Sequence, residues 1–255
     1  MSWAWLTFGR LRHFGVRDQW LLLLSIGSSA AYLATRGVQP FPGSVVLKGL
    51  GMAPLAVLTF RVLGKVERAT GETGRPGLRD SQLLAAALTL SCLGDVLLHL
   101  GSRRYAGLAV GAFLLAHVAY IVLFTRSWVR PLRPRRLELA LTAAVLVYSV
   151  VVTGWLSTRV GDYAVPVIIY GVAITAMAVS AILAGFSTPL VWIGAMLFII
   201  SDSLIAAGRF TTALPLTPYL IWPTYYLGQY GIAIGYLHDK AAARSVAGCS
   251  GGPAA

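Results

Sequence analysis

The chain has 255 residues, of which 57% are hydrophobic and only 12% are charged, and its mean hydropathy is +0.73. This composition excludes an ordinary soluble domain and is typical of an integral membrane protein. The formal net charge of +12 lies mostly in short loops on alternate sides of apolar runs, which indicates membrane topology and argues against a nucleic-acid partner.

Eight apolar runs approach or reach the length of about 20 helical residues that crosses a hydrocarbon core of about 30 Å. In chain order they cover residues 20–34, 44–63, 81–100, 105–124, 137–156, 164–184, 189–208 and 217–237. The sequence therefore predicts an all-α integral membrane protein, a bundle of about eight transmembrane helices. The first run is short, and the count becomes seven if that run only lies in the membrane interface.

The distribution of Lys and Arg predicts the orientation. With a cytoplasmic N-terminus, 15 of these residues fall on the cytoplasmic side, 5 fall on the opposite side, and Lys48 falls inside the second run. This bias predicts that both termini are cytoplasmic. The loops are too small to form a domain, so we expect a single transmembrane domain over residues 1–240 and a mobile tail over residues 241–255.

The remaining features of the sequence argue against a cleavable signal peptide, a disulfide, a metal site and a cofactor. The apolar run at residues 3–8 is too short for a cleavable signal peptide, so we expect the first helix to be retained. Cys92 lies in the third predicted helix and Cys249 in the tail, a placement that predicts neither a disulfide nor a zinc site. With few His and Cys residues, no metal and no other cofactor is expected.

Two aspartates lie inside apolar runs: Asp95 in TLSCLGDVLLHL and Asp202 in AMLFIISDSLIAAG. A carboxylate within a membrane helix costs roughly 2.5 to 3.5 kcal/mol on insertion scales, so such residues usually face a bundle interior and serve a function. Counting along the helices places Asp95, Asp202 and Lys48 at one level, roughly 6 to 9 Å below the outer surface. This common level predicts a single site.

Other polar and aromatic residues reach a similar or slightly deeper level. They are Tyr170, Trp222, Tyr225, Tyr226 and Gln229, and His117 lies deeper. Structural interpretations remain open for several of these residues, and His117 can be an interhelical hydrogen-bonding residue. Lys48 can extend to the interface, the aromatic residues can form an interfacial belt, and the two aspartates can be a buried pair that holds helices together. His99, four residues beyond Asp95 on the same helical face, can be interfacial.

The segments SCLGDVLLHLGSRR and IISDSLIAAGRF, at the ends of the third and seventh runs, share Ser, Asp and Arg in the same order. A parallel duplication of four helices would explain this similarity, and so would chance. The duplication favours an alternative function, a proton-coupled transporter or channel that uses Asp95, Asp202 and Lys48 as a relay. A third alternative is a non-catalytic lipid sensor or scaffold.

The order and spacing of five segments resemble the YhhN-type lysoplasmalogenase family of small multi-pass membrane proteins. The segments are SCLGDVLL at 91–98, AHVAYIVLF at 116–124, PVIIYG at 166–171, GAMLFIISDSLIA at 194–206 and TYYLGQ at 224–229. The resemblance covers residues 48–235. It departs in the second run, where similar proteins carry a KxLP-like segment but KGLGMAP places Pro54 six residues after Lys48.

The resemblance implies hydrolysis of the vinyl ether bond of lysoplasmalogens to a fatty aldehyde and glycerophosphocholine or glycerophosphoethanolamine. Such a bond is activated by a proton delivered to the carbon remote from oxygen, and water then captures the oxocarbenium ion. Asp95 and Asp202 are the expected acid and base, because a buried carboxyl beside a second carboxyl can hold a proton for donation. Which of the two is the acid is left open.

The same resemblance implies the binding residues and the partners. The expected substrate-binding residues are Lys48, His117, Tyr170, Arg209, Tyr225, Tyr226 and Gln229. Arg209, two turns beyond Asp202, is expected to meet the phosphate, and an aromatic ring of Trp222, Tyr225 or Tyr226 the headgroup cation. The expected partners are a lysophospholipid and the lipid bilayer, and a homodimer is allowed. The expected location is the inner membrane of a bacterium or the endoplasmic reticulum of a eukaryote.

Overall fold

The computed structural model describes residues 15–41, 43–71, 77–101, 103–128, 135–210 and 216–250, and their side chains except at residues 103–104 and 243–250. These residues form eight α-helices and two short 3-10 turns, and no strand occurs among them. The helices are α1 Val16–Ala34, α2 Ser44–Thr70, α3 Asp80–His99, α4 Arg103–Arg126, α5 Arg136–Ser157, α6 Ala164–Leu183, α7 Leu190–Phe210 and α8 Thr217–Ser250. The all-α prediction is confirmed, and each predicted run falls on one helix.

The largest difference from the predicted runs is at the C-terminal ends of α2 and α8, which continue for several polar residues. In α2 the extension is held by a buried carboxylate, since Glu67 accepts hydrogen bonds from the Ser81 amide at 2.7 Å and the Ser81 hydroxyl at 2.6 Å. α8 continues to Ser250, through the first part of the predicted tail. The predictions for residues 3–8 and 251–255 lie outside the described residues.

Six helices are long and apolar enough to cross a membrane by length and composition: α2, α3, α4, α5, α6 and α7, as far as the described residues go. The chain is a multi-pass membrane protein. The predicted count of eight spans is not confirmed, because α1 and α8 are absent from this set.

Both α1 and α8 nevertheless run the full depth of the bundle. At one end of α1, Asp18 pairs with Arg61 at 3.0 Å and with Lys65 at 2.8 Å, and at the other end Tyr32 contacts His99 at the end of α3. In α8 the early Trp222 lies near Lys48, whereas Tyr236 donates to Asp80, the first residue of α3, at 2.7 Å. We call these two levels the Lys48 end and the Lys65 end of the bundle.

Helix packing follows a four-plus-four pattern. The closest pairs are α1 with α2, α2 with α3, α3 with α4, α5 with α6, α6 with α7, α7 with α8, α4 with α6, and α8 with α2. If α1, α2, α3 and α4 exchange places with α5, α6, α7 and α8, the same eight pairs result. For example, the pair α2 with α3 becomes the pair α6 with α7. The packing therefore favours two four-helix halves related by a pseudo-twofold axis, in which α3 with Asp95 corresponds to α7 with Asp202.

The tightest contact between helices is that of α7 with α8, and glycines make it possible. A Cβ atom on Gly194 would lie 2.5 Å from the carbonyl oxygen of Gly228, and one on Gly228 would lie 2.8 Å from the oxygen of Gly194. The two backbones therefore touch directly, as small residues permit in membrane helix pairs. This contact fixes how α8 is rotated against the helix that carries Asp202.

Candidate functional site

Asp95 is buried in the bundle, with 3% of its surface exposed, and it forms an ion pair. The ammonium nitrogen of Lys48 lies 3.0 Å from Oδ1 of Asp95 and also donates to its backbone oxygen at 3.4 Å. Of the two readings of Lys48, pairing is therefore the one observed, and extension to the interface is not. Removing one member would leave an unpaired buried charge, which is strongly destabilising.

Tyr225 is a second neighbour of the Asp95 carboxylate. Oδ2 has no hydrogen-bond partner among the described residues, and neither has the hydroxyl of Tyr225, which lies beside this carboxylate without reaching hydrogen-bond geometry. A buried acceptor and a buried donor therefore face the same small region.

Asp202 has different neighbours. The hydroxyl of Tyr170 donates to its Oδ2, and Nε2 of His117 lies 3.0 Å from the Tyr170 oxygen and 3.7 Å from Oδ2. Since the Tyr170 proton is used on the carboxylate, Nε2 of His117 donates to the Tyr170 oxygen, and Nδ1 of His117 has no hydrogen-bond partner among the described residues. The result is a hydrogen-bond chain from the buried His117 through Tyr170 to Asp202.

The two aspartates belong to one group of side chains, which we call the aspartate cluster. Its members are Lys48, Asp95, His117, Tyr170, Asp202 and Tyr225. The charges of the two aspartates act on each other, and both act on Tyr170 and on Tyr225. Under the four-plus-four pattern their surroundings correspond. Asp95 on α3 is met from α2 and α8, by Lys48 and Tyr225, and Asp202 on α7 is met from α6 and α4. The chemistry of the partners differs, because a lysine ammonium pairs with Asp95, whereas a tyrosine hydroxyl and an imidazole meet Asp202.

Three predicted binding residues lie elsewhere in the structure. Gln229 is fully buried, accepts from the Tyr120 hydroxyl at 2.5 Å and donates to Ser91 at 3.0 Å, so it links α8 to α4 and α3. Arg209 is exposed at the end of α7, two turns beyond Asp202. Neither is brought to a carboxylate.

Tyr226 points toward α1. Its hydroxyl lies 2.8 Å from the oxygen of Ser25, whose own proton is used on the backbone oxygen of Gly51 at 2.5 Å. Tyr226 therefore donates to Ser25 and holds α8 against α1 and α2, away from both aspartates.

The structure adds residues that sequence reasoning treated as peripheral. Trp222 donates to Ser29 at 3.0 Å, and its ring centre lies 5.5 Å from the Lys48 nitrogen, so it is an interior contact and not part of a lipid-facing belt. His99 contacts Ser44 at 2.7 Å and Tyr32 at 3.3 Å. His99 and Ser91 each lie four residues from Asp95 along α3, and this spacing could have indicated that they share its helical face.

The described part of the chain has no group of three or more His, Cys, Asp or Glu side chains arranged to hold a metal ion. Two carboxyl groups in unlike surroundings, with a tyrosine at each, are suited to moving protons to and from a bound molecule.

Fold and site together define a class: a multi-pass helical membrane protein with two carboxylates, one buried and one partly buried, in a single interhelical cluster. The sequence pattern of the YhhN family matches residues 43–236, and the chain belongs to that family. This confirms the resemblance seen in the sequence, and every residue of the aspartate cluster lies within the matched range.

Several relatives are similar over much of their length. A protein of Mycobacterium bovis named lysoplasmalogenase is 30% identical over 82% of this chain and 79% of its own length. The human protein named lysoplasmalogenase TMEM86B is 34% identical over 62% of this chain and 65% of its own, and the rat TMEM86B is 32% identical over 64% and 65%. No solved structure shows a significant match to this chain.

Proposed function

We propose that this protein is a lysoplasmalogenase, an ether hydrolase that converts lysoplasmalogens to a fatty aldehyde and glycerophosphocholine or glycerophosphoethanolamine. Its membership of the YhhN family and the relatives named lysoplasmalogenase support the reaction class. The observation that carries the proposal is the aspartate cluster, because it supplies two carboxyl groups with separate proton environments inside a lipid-embedded bundle.

Asp202 is the proton donor in this mechanism. Tyr170 occupies its Oδ2, which leaves Oδ1 to carry the acidic proton, and the chain through Tyr170 to His117 orients the group and offers a path for protons. Transfer of the proton to the vinyl carbon remote from oxygen produces an oxocarbenium ion. A developing cation is best formed where a carboxylate faces it.

Asp95 is the carboxylate that faces the cation. Its ion pair with Lys48 holds it as an anion, and its free Oδ2 beside Tyr225 is placed to accept a proton from the attacking water. The resulting hemiacetal collapses when Asp95 returns that proton to the glycerol oxygen and Asp202 takes the proton of the hemiacetal hydroxyl. Both carboxyl groups are then restored, and one water has been consumed.

We also propose that all eight helices span the membrane, with both termini cytoplasmic and the Lys48 end on the outer side. The depth-spanning contacts of α1 and α8 support this count, and the excess of Lys and Arg at the Lys65 end supports the orientation. The substrate tail then lies among the helices and its headgroup at the Lys48 end. Which membrane hosts the protein, and whether it forms a homodimer, stay predictions.

The test is to incubate the purified protein with a 1-alkenyl lysophospholipid and with its ester and saturated alkyl-ether analogues, and to assay for aldehyde. We expect aldehyde from the vinyl ether alone. In heavy water, the promptly trapped aldehyde should carry one deuterium on the carbon next to its carbonyl, because a carboxyl proton exchanges with solvent. Aldehyde incubated alone in heavy water is the control for later enolisation. Absence of that deuterium would eliminate protonation by Asp202.

The four-plus-four packing favours one other function, a proton-coupled transporter with Asp95, Asp202 and Lys48 as its relay. Proteoliposomes distinguish the two. A transporter would accumulate a solute under a proton gradient and release no aldehyde, whereas the hydrolase releases aldehyde with no gradient present.

A further inference from the structure

A cavity of about 420 Å³ lies at the Lys48 end of the bundle, where the ends of α1, α2 and α3 meet. Tyr32, Arg36, Gln39, Lys48 and His99 provide its polar lining. Lys48 therefore has two faces, because the side chain that pairs with Asp95 also borders this cavity. Lys48 therefore lies between the cavity and the rest of the aspartate cluster and contacts both.

The lining is positively charged. Arg36 and Lys48 are its charged members, and no carboxylate contributes to it. Arg36 uses one guanidinium N–H on Gln39 at 2.9 Å, and Gln39 in turn donates to the backbone oxygen of Tyr32 at 2.7 Å. Among the described residues Arg36 has no ion-pair partner, so a positioned guanidinium with unused donors faces the cavity.

His99 contributes shape and not charge. Ser44 donates to the backbone oxygen of Phe41 at 2.6 Å, so its oxygen accepts from Nε2 of His99 at 2.7 Å. Nδ1 then accepts from the Tyr32 hydroxyl, and both ring nitrogens of a neutral imidazole are used. An anion in the cavity is accordingly met by Arg36 and Lys48.

We infer that this cavity binds the phosphodiester of the lysophospholipid headgroup through Arg36 and Lys48, an inference that rests on the proposed function. Guanidinium groups bind phosphate through paired N–H donors, and an ammonium adds a point charge. His99 lies one turn beyond Asp95, about 6 Å along α3. The glycerol backbone, which separates the phosphate from the vinyl ether by a few bonds, bridges a gap of this size.

The test compares two substrates that differ only in the phosphate headgroup: a 1-alkenyl lysophosphatidylcholine and the corresponding 1-alkenylglycerol. Arg36→Ala should raise KM for the phospholipid about tenfold or more, the size of a lost charged hydrogen bond, and change kcat by less than about twofold. Hydrolysis of the alkenylglycerol should not change. Arg36→Lys should retain most of the affinity. The matched control is Arg159→Ala, which removes an exposed arginine that contacts only its own helix end.

Equal effects of Arg36→Ala on both substrates, or none on either, would overturn the inference. So would a larger phosphate-specific loss from Arg209→Ala, which would return the headgroup to the end of α7.

Binding of the saturated alkyl-ether lysolipid separates this inference from the proposed function, because that lipid cannot be hydrolysed. We expect Arg36→Ala to weaken its binding about tenfold and to leave binding of the alkylglycerol unchanged, even if the wild-type protein releases no aldehyde. Aldehyde release with no such difference would refute the headgroup site alone. The last measurement is binding of inorganic phosphate to the protein. Tight phosphate binding that depends on Arg36 and does not compete with the lysolipid would make this a free-phosphate site and overturn the assignment.

Discussion

The buried Asp95 and the partly buried Asp202 have chemically different partners, and this difference is the basis for proposing separate roles for them. Asp95 forms an ion pair with Lys48 and keeps one oxygen unpartnered beside Tyr225. Asp202 meets Tyr170 and, through it, His117. A fixed anion and a carboxyl on a hydrogen-bond chain are what acid-catalysed hydration of an enol ether requires.

The first prediction concerns these roles. Asp202→Asn should lower kcat by roughly 10²- to 10⁴-fold, the usual contribution of general acid–base catalysis, because the amide keeps the size of the side chain but has no acidic proton. Asp95→Asn should lower it by a comparable factor. Aldehyde release is the measurement, taken on protein that elutes at the wild-type position in size exclusion, because Asp95→Asn leaves Lys48 unpaired and lowers stability. Near wild-type turnover in either variant would remove that aspartate from the mechanism.

The second prediction concerns the ion pair. Lys48→Met should destabilise the protein by roughly 3 to 5 kcal/mol, because it leaves Asp95 buried and unpaired, whereas the double variant with Asp95→Asn should regain most of that loss. Thermal unfolding in detergent measures both. Lys65→Met is the control, since the half-exposed Lys65 shares Asp18 with Arg61 and should cost less than about 1 kcal/mol. A double variant as unstable as the single one would contradict the pairing argument.

The common level of Lys48, Asp95 and Asp202 was predictable because helical rise is regular, so counting residues gives depth. The rotation of each helix about its own axis was not predictable from the sequence. Tyr225 and Tyr226 are adjacent and equally apolar in context, yet one lies beside Asp95 and the other donates to Ser25. Which of them faces the cluster depends on how α8 is turned, and that is decided by its contact with α7.

At the scale of whole helices, the contact of α7 with α8 positions both aspartate surroundings at once. Its backbone-to-backbone approach leaves no room for a side chain at Gly194 or Gly228. The sequence shows these glycines, but small residues are common in membrane helices, so the sequence alone does not indicate which of them face a partner. The apolar runs themselves predicted the helices well because length and hydropathy suffice to define a membrane helix.

The third prediction follows from this contact. Gly194→Ala should destabilise the protein by about 1 to 3 kcal/mol, because its Cβ would meet the Gly228 oxygen at 2.5 Å and the Ile232 amide at 2.8 Å. Activity should fall as well, since a shift of α8 moves Tyr225. Gly154→Ala in α5 has open space around its Cβ and should be neutral or stabilising. Equal unfolding temperatures for the two variants would show that the glycine contact is unimportant.

For the whole molecule, the pseudo-twofold arrangement explains why two acidic positions arise at one level. A four-helix unit used twice in parallel places its aspartate at the same depth in each half. Divergence between the halves then gives Lys48 on α2 and Tyr170 on the corresponding α6. The packing pattern was not predictable from the short similarity between the two segments, because it depends on contacts between helices that are far apart in the sequence.

The last prediction tests whether α8 crosses the membrane, on which the count of eight spans depends. If α1 and α8 both cross the membrane, the C-terminal Cys249 lies on the same side as the loop between α2 and α3. If only the six central helices cross, it lies on the opposite side. In a Cys92→Ala background, we expect a membrane-impermeant maleimide to modify Cys249 and an introduced Thr73→Cys from the cytoplasmic side alone. Thr212→Cys, tested with Cys249 replaced, is the control and should react only from the other side. Modification of Cys249 together with Thr212→Cys from one side would show that α8 does not cross the membrane, and the count of eight spans would then be wrong.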